Sequence, residues 1–273
     1  MRLFLVFSFV ALFLSACSSS EKERQKDILA EPETVPVEVL YNEAANALDQ
    51  GRNKKAAEIF NEVDRIYPFS KWAVQAQLMS AFAYYDDERY DEAIIALDRF
   101  IQLHPGHEDV DYAFYLKAIS FYEQISDVRR DQSITASALE NLDIVVNRFP
   151  DSRYARDARL KRDLSFDHLA GKEMEIGRFY LLQGEYNAAI NRFRSVVTTY
   201  QTTTHVPEAL HRMVEGYLSL GIRAEATKVA AVLGYNYPGS KWYEQSYALL
   251  TDKEKQVIED KKGWFNATID SLF

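Results

Sequence analysis

The chain has 273 residues, 47% hydrophobic and 13% aromatic, which is enough apolar material for a sizeable core. Ten glycines, seven prolines and the absence of alternating β-branched runs argue for an all-α fold and against a sheet. A formal net charge of −9 disfavours nucleic acid as a generic partner.

Residues 1–16 read as a signal peptide, with Arg2 as a weak positive start and Leu3–Leu14 as an apolar run too short to span a membrane once mature. The following Leu14-Ser15-Ala16-Cys17 resembles the bacterial lipobox, in which the cysteine becomes the acylated N-terminus. An ordinary secretory signal with an incidental cysteine is the alternative. Cys17 is the only cysteine, so a chain sent to an oxidising compartment has no second thiol to mispair. Several acyl chains, at ~0.8 kcal/mol per buried methylene, would hold it stably at a membrane. Ser18 follows, and no aspartate, which by resemblance to proteobacterial lipoproteins implies sorting to the outer membrane. Residues 17–36 are a tether whose polar stretch, Ser18–Pro36 with Pro32 and Pro36, is nineteen residues long and reaches at most ~60–70 Å and typically about 25 Å.

From Val37 a single helical domain (37–260) is punctuated by a repeated phrase. Tyr67-Pro68-Phe69-Ser70-Lys71-Trp72 recurs as Phe149-Pro150-Asp151-Ser152-Arg153-Tyr154 and as Tyr237-Pro238-Gly239-Ser240-Lys241-Trp242. The proline stops one helix and the serine oxygen caps the next. Between these marks a small residue recurs twelve positions after another: Ala44 and Ala56, Ala81 and Ala93, Gly177 and Ala189. Phe60, Leu97 and Phe193 follow the second small residue by four. This layout is similar to the tetratricopeptide repeat, in which paired helices cross so closely that the crossing demands small side chains. We count five repeats, grouped as N-terminal (37–150) and C-terminal (151–260). In the third, Ala118 and Ala138 are twenty apart, which places a polar insertion around Gln124–Ser133. In the fifth, Val214 stands where a small residue is expected.

Residues 152–182 lack proline and carry Leu160, Leu164, Leu169, Ile176 and Tyr180, which predicts one long helix with Gly171 a potential kink; two helices broken at Ala170-Gly171 are the alternative. A final amphipathic helix over Trp242–Asp260 would cap the stack. The tail 261–273 has no assignment.

Catalytic motifs are lacking: there is no phosphate loop, nucleophile elbow or helical metal-histidine pair, so neither enzyme activity nor a cofactor is expected. His104-Pro105-Gly106-His107 with Glu108 and Asp109 could suggest a metal, but the proline and glycine mark a turn whose polarity needs no ion.

In such repeats the first helix of each hairpin lines the concave face, three before, one after and four after its small residue. Those positions are Tyr41, Ala45 and Leu48; Leu78, Phe82 and Tyr85; Tyr115, Ile119 and Tyr122, with Tyr112 one turn earlier. Tyr41, Phe82, Tyr85, Tyr112, Tyr115 and Tyr122 would form a wall suited to an extended peptide with aromatic side chains. Packing between neighbouring repeats is the alternative use of any one ring. The fourth and fifth repeats place Met174, Arg178, Leu181, His211, Glu215 and Leu218 there, a surface of different chemistry that suggests a different partner.

The lipobox, the five repeats, the insertion and the long helix together resemble the BamD family of outer-membrane assembly lipoproteins. The residues that carry the likeness are Ile66-Tyr67-Pro68-Phe69-Ser70, Asp98-Arg99-Phe100-Ile101, His104-Pro105, Arg130-Asp131-Gln132, Phe149–Ala155, Asp157-Ala158 and Ala188–Arg192. The resemblance implies a non-enzymatic scaffold held at the outer membrane through Cys17. Its C-terminal repeats would bind the POTRA region of the barrel-inserting subunit. Its N-terminal repeats would bind aromatic-ended C-terminal signals of unfolded outer-membrane proteins, with other assembly lipoproteins as further partners. Arg192 matches a family arginine at the POTRA-facing end; Arg130, Asp131 and Arg178 are further candidate partner contacts. The competing reading is a repeat lipoprotein that scaffolds pilus or secretin assembly, and a third is a cell-wall hydrolase or accessory.

Overall fold

The computed structural model describes residues 35–128 and 130–260; the signal peptide, Cys17, most of the tether and the 261–273 tail lie outside the described residues. The elements are α1 (Val37–Asp49), α2 (Asn53–Ile66), α3 (Lys71–Asp86), α4 (Tyr90–Leu103), α5 (Val110–Tyr122) and α6 (Ser133–Arg148). They continue as α7 (Ala155–Leu182), α8 (Tyr186–Thr199), α9 (Val206–Ser219), α10 (Arg223–Asn236), α11 (Lys241–Ala248) and α12 (Asp252–Asp260), and no strand occurs among the described residues. None of the described helices is long and apolar enough to cross a membrane.

Two of the three punctuating serines cap as their spacing predicts: Ser70 Oγ accepts from the Ala73 N–H and Ser240 Oγ from Trp242, at 3.1–3.2 Å. Ser152 does not, because α7 begins later, with Tyr154 as its N-cap residue, and the Ser152 Oγ accepts from the Tyr154 N–H in the turn ahead of the helix. In four of the five hairpins the reversal uses a left-handed residue: Gly51, Gly184 and Gly221 have φ of 68°, 77° and 76°, and Glu88 occupies the equivalent place at 58°; the third hairpin turns through its insertion instead. Glycine adopts that conformation without a Cβ clash, whereas Glu88 bears the cost.

The chain's contacts divide it into two units, with the division inside α3 between Ala76 and Gln77. In the first, α1 packs on α2 through Ala44, Ala47, Ala56, Ala57 and Phe60, all fully buried. In the second, each helix packs on the next from α4 to α10, and the small residues Ala81, Ala93, Ala118, Ala138 and Ala189 have no exposed surface. Gly177 shows why size matters at the crossing: a Cβ there would lie 2.4 Å from the ring of Phe193. Val214 is also fully buried in α9, and the close approach of that helix falls two residues later, where a Cβ on Gly216 would meet Ile190 at 2.9 Å.

The long helix α7 runs unbroken for 28 residues through Gly171. Gly171 is buried there, and a Cβ on it would meet His205 at 3.4 Å and Val128 of the insertion at 3.9 Å, ordinary contact distances. The terminal helix differs from expectation. The stretch Trp242–Asp260 forms two helices, because buried Leu250 ends the first and Thr251-Asp252-Lys253-Glu254 starts the second as a capping box. Glu254 accepts from both the N–H and the hydroxyl of Thr251 at 2.7 Å, and it takes a fork from Arg223 of α10 at 2.7 and 2.9 Å.

Candidate functional site

The repeated phrase does more than restart helices. Its last aromatic lies on the residue three before the small residue of the preceding first helix. Trp72 lies 4.8 Å from Tyr41, Tyr154 lies 4.7 Å from Tyr115, and Trp242 lies 5.3 Å from His211. In each copy the preceding cation sits over that same ring: Lys71 on Trp72, Arg153 on Tyr154 and Lys241 on Trp242.

The second copy gathers most of the candidate aromatics. Tyr154 stacks on Tyr115 at an interplanar angle of 19° and lies 5.2 Å from Tyr112. The Tyr115 hydroxyl donates to Asp157 Oδ2 at 2.7 Å, and Lys161 donates to Oδ1 of the same carboxylate at 3.1 Å. Lys161 also lies over Tyr122 at 5.5 Å. Ser152 fastens this turn to α5 by donating to Asp111 at 2.6 Å. Tyr85, from α3, lies 5.7 Å from Tyr90 and packs with Tyr115 and Tyr122 on a core of Val110, Phe114, Ala118 and Leu142. Phe82 is half-buried, as are the five tyrosines of this group: Tyr85, Tyr112, Tyr115, Tyr122 and Tyr154.

Burial pushes the hydroxyls of Tyr112 and Tyr115 far above the ordinary tyrosine range, with the neighbouring Tyr154 adding to the first and the Asp157 hydrogen bond to the second. Tyr85 is raised by burial and then by Glu123. All three are therefore donors throughout the physiological range. Burial opposes ionisation of Asp157, but the hydrogen bonds from Tyr115 and Lys161 outweigh it and hold the carboxyl below its usual value. The result is a surface of tyrosine rings on which the Tyr115 proton is committed to Asp157 while the other hydroxyls stay protonated donors or acceptors, which suits the aromatic side chains of an extended peptide.

Other expected groove positions are core. Leu78 is 2% exposed, Ile119 4% and Met174 0%, so the register expected for the concave face turns these side chains inward. His211 is 3% exposed, where its Nδ1 pairs with Ser246 Oγ at 2.8 Å and its other nitrogen faces Glu215. In the first unit, Tyr41 is half-buried with its ring between Phe60 and Trp72. Tyr154 and Asp157 were missed as site residues, although the Ser-cation-aromatic spacing of the repeated phrase marks the first of them.

The candidate partner contacts divide. Arg178 is forked onto Glu208 of α9 at 2.9–3.0 Å and bonded to Glu175 at 2.7 Å, so its guanidinium joins α7 to α9. Arg192 remains half-exposed, 3.3 Å from Glu173, on the edge of a 360 Å³ cleft that Tyr180, Asn191 and Ser195 also line. In the insertion, Asp131 accepts from the N–H and hydroxyl of Ser133 at the start of α6, while the Arg130 carbonyl accepts from Lys172 of α7 at 3.3 Å. Residue 129 lies outside the described residues. His104 Nε2 pairs with Gln77 at 2.9 Å and His107 Nδ1 accepts from the Asp109 N–H, and among the described residues no cluster of metal-ligating side chains occurs.

The family model for the outer membrane lipoprotein YfiO matches residues 33–233. The outer membrane protein assembly factor BamD of Caulobacter vibrioides is 49% identical over 243 residues, covering 89% of this chain and 78% of that one. The protein of the same name from Rickettsia prowazekii is 47% identical, covering 88% and 93%, and that from Neisseria meningitidis serogroup B is 33% identical, covering 87% and 92%. A match spanning nearly all the repeats, with identities close to one half, makes this chain a member of the YfiO family of outer membrane lipoproteins.

Proposed function

We propose that the chain is a lipid-anchored scaffold and substrate receptor on the periplasmic face of the outer membrane, working in β-barrel protein assembly. The carrying observation is the cluster of Tyr85, Tyr112, Tyr115, Tyr122 and Tyr154, whose half-exposed rings gather where α5 meets the start of α7. In this role the cluster takes aromatic-ended C-terminal segments of unfolded outer-membrane proteins. Rings supply large contact area for few frozen torsions, and hydroxyls other than that of Tyr115, whose proton goes to Asp157, bond peptide carbonyls. The names of the relatives, outer membrane protein assembly factors, support the same setting. Arg192 and its cleft serve the POTRA region of the barrel-inserting subunit, and the insertion bearing Arg130 and Asp131 serves other assembly lipoproteins. Cys17 carries the acyl chains, and no catalytic step is assigned.

Two measurements test this. Affinity purification from solubilised membranes recovers a large POTRA-containing barrel protein; recovery of a pilin or secretin in its place moves the scaffold to another assembly. Replacing Tyr85 and Tyr115 together by alanine weakens binding of aromatic-ended peptides by more than about 1 kcal/mol, and an unchanged affinity confines both rings to packing.

A further inference from the structure

The receptor reading leaves one chemical feature of its ligand unmatched: a C-terminal segment ends in a carboxylate. Arg153 stands where that charge would arrive. Its guanidinium lies 4.8 Å from the centre of the Tyr154 ring, and one Nη donates to the Tyr154 hydroxyl. The side chain is exposed, and among the described residues no carboxylate pairs with it. Three other arginines of the second unit are neutralised internally, Arg178 by Glu208, Arg212 by Glu208 and Glu215, and Arg223 by Glu254. Arg148, Arg159 and Arg194 also lack a carboxylate among the described residues but lie against Phe114, the Pro150 carbonyl and the Tyr217 hydroxyl. What sets Arg153 apart is its place on the Tyr154 ring beside Tyr112 and Tyr115. Between Arg148 and Arg162 six cations accompany two carboxylates in a chain whose net charge is −9. One of the two, Asp157, is already bonded to Tyr115 and Lys161.

The equivalent cations in the other copies of the phrase are lysines, Lys71 and Lys241, and they cover their rings at 5.5 and 4.7 Å. Covering a ring therefore does not require a guanidinium. What arginine adds is a planar fork of N–H donors that matches a carboxylate in two parallel hydrogen bonds. We propose, on the footing of the receptor reading, that Arg153 binds the free α-carboxylate of a peptide whose terminal aromatic ring rests against Tyr85 and Tyr112. The site then distinguishes a true chain end from an internal aromatic segment. Tyr85 and Tyr112 supply the ring contacts and Arg153 the selectivity.

The test uses the full chain and a fluorescent decapeptide ending in phenylalanine, prepared as the free acid, as the C-terminal amide and with alanine in place of the phenylalanine. Anisotropy titration is expected to show the acid binding on the order of tenfold more tightly than the amide. In Arg153→Gln the acid and amide affinities converge. In Arg153→Lys the ring cover is kept, as the urea midpoint reports, while the preference for the acid shrinks. Equal binding of acid and amide by the wild-type chain overturns the carboxylate assignment and leaves the aromatic reading standing. If Arg153→Gln weakens both peptides equally, Arg153 is a packing residue and the assignment also fails. Failure of all three peptides to bind removes the receptor reading itself.

Discussion

Tyr115 and Tyr154, thirty-nine positions apart in the chain, stack with ring centres 4.7 Å apart, and the Tyr115 hydroxyl reaches past its partner to Asp157. The stack fastens α5 to the start of α7 and leaves part of each ring at the surface. One residue thus belongs both to the packing between hairpins and to the candidate peptide site.

Tyr115→Phe keeps the stack and deletes one donor to Asp157. That hydrogen bond helps depress the carboxyl in the folded chain, so its stabilisation is complete above the unfolded carboxylate range near pH 4 and fades as pH falls through the depressed folded value. The variant is expected to lose about 1 kcal/mol at pH 7, discounted for the half-exposed carboxylate. The gap to wild type narrows below about pH 4. Urea denaturation at pH 7 and at pH 3 measures it, and a gap that ignores pH would take the effect away from Asp157.

Gly177→Ala is expected to destabilise by about 1–3 kcal/mol, because the new methyl would sit 2.4 Å from a fully buried Phe193 ring. The unfolded-state gain from losing glycine is smaller, roughly 0.4–1 kcal/mol. Gly106→Ala is the control, since nothing lies within 4 Å of its Cβ position. Denaturation midpoints that shift alike in both variants would refute the crossing argument.

Glu88→Gly removes a side chain from a left-handed position, φ 58°, that Gly51, Gly184 and Gly221 fill in the equivalent turns. The gain is expected at about 0.5–1 kcal/mol, the αL penalty less the extra freedom of an unfolded glycine. Thermal unfolding of the variant should move upward; a downward move would mean that Glu88 makes contacts worth more than its strain.

Glu254→Gln tests the capping box that divides the terminal helix. The Arg223 fork holds the Glu254 carboxyl down to about 2, with the Thr251 hydrogen bonds assisting against partial burial. Its stabilisation is therefore present above the unfolded value near pH 4.3 and is lost between there and about pH 2. Hydrogen exchange of α12 amides, corrected for intrinsic rates, should accelerate between pH 5 and pH 3 in the wild type. In Glu254→Gln exchange should be fast at both.

The repeats were legible because their signals are local. Proline stops, serine caps and small residues twelve apart each act within one hairpin, and Ser70, Ser240, Ala81 and Ala93 behave as that spacing predicts. The capping box Thr251–Glu254 was equally legible and outranks the apolar periodicity that suggested one terminal helix. The concave register was less so. Leu78, Ile119 and Met174 were assigned to the groove by position alone, and a turn of roughly 100° per residue places them against the neighbouring helix.

By itself, then, the chain's order of residues determined an all-helical set of hairpins, their boundaries and the family to which they belong, since each rests on contacts within a few turns or on the pattern of many such turns. Tertiary structure alone decided that Arg178 is spent on Glu208, thirty residues away, while Arg153 keeps donors without a carboxylate. It also decided that Tyr154 joins Tyr112 and Tyr115. Such pairings depend on which surfaces meet when hairpins stack, and no local spacing encodes the neighbour a side chain will find.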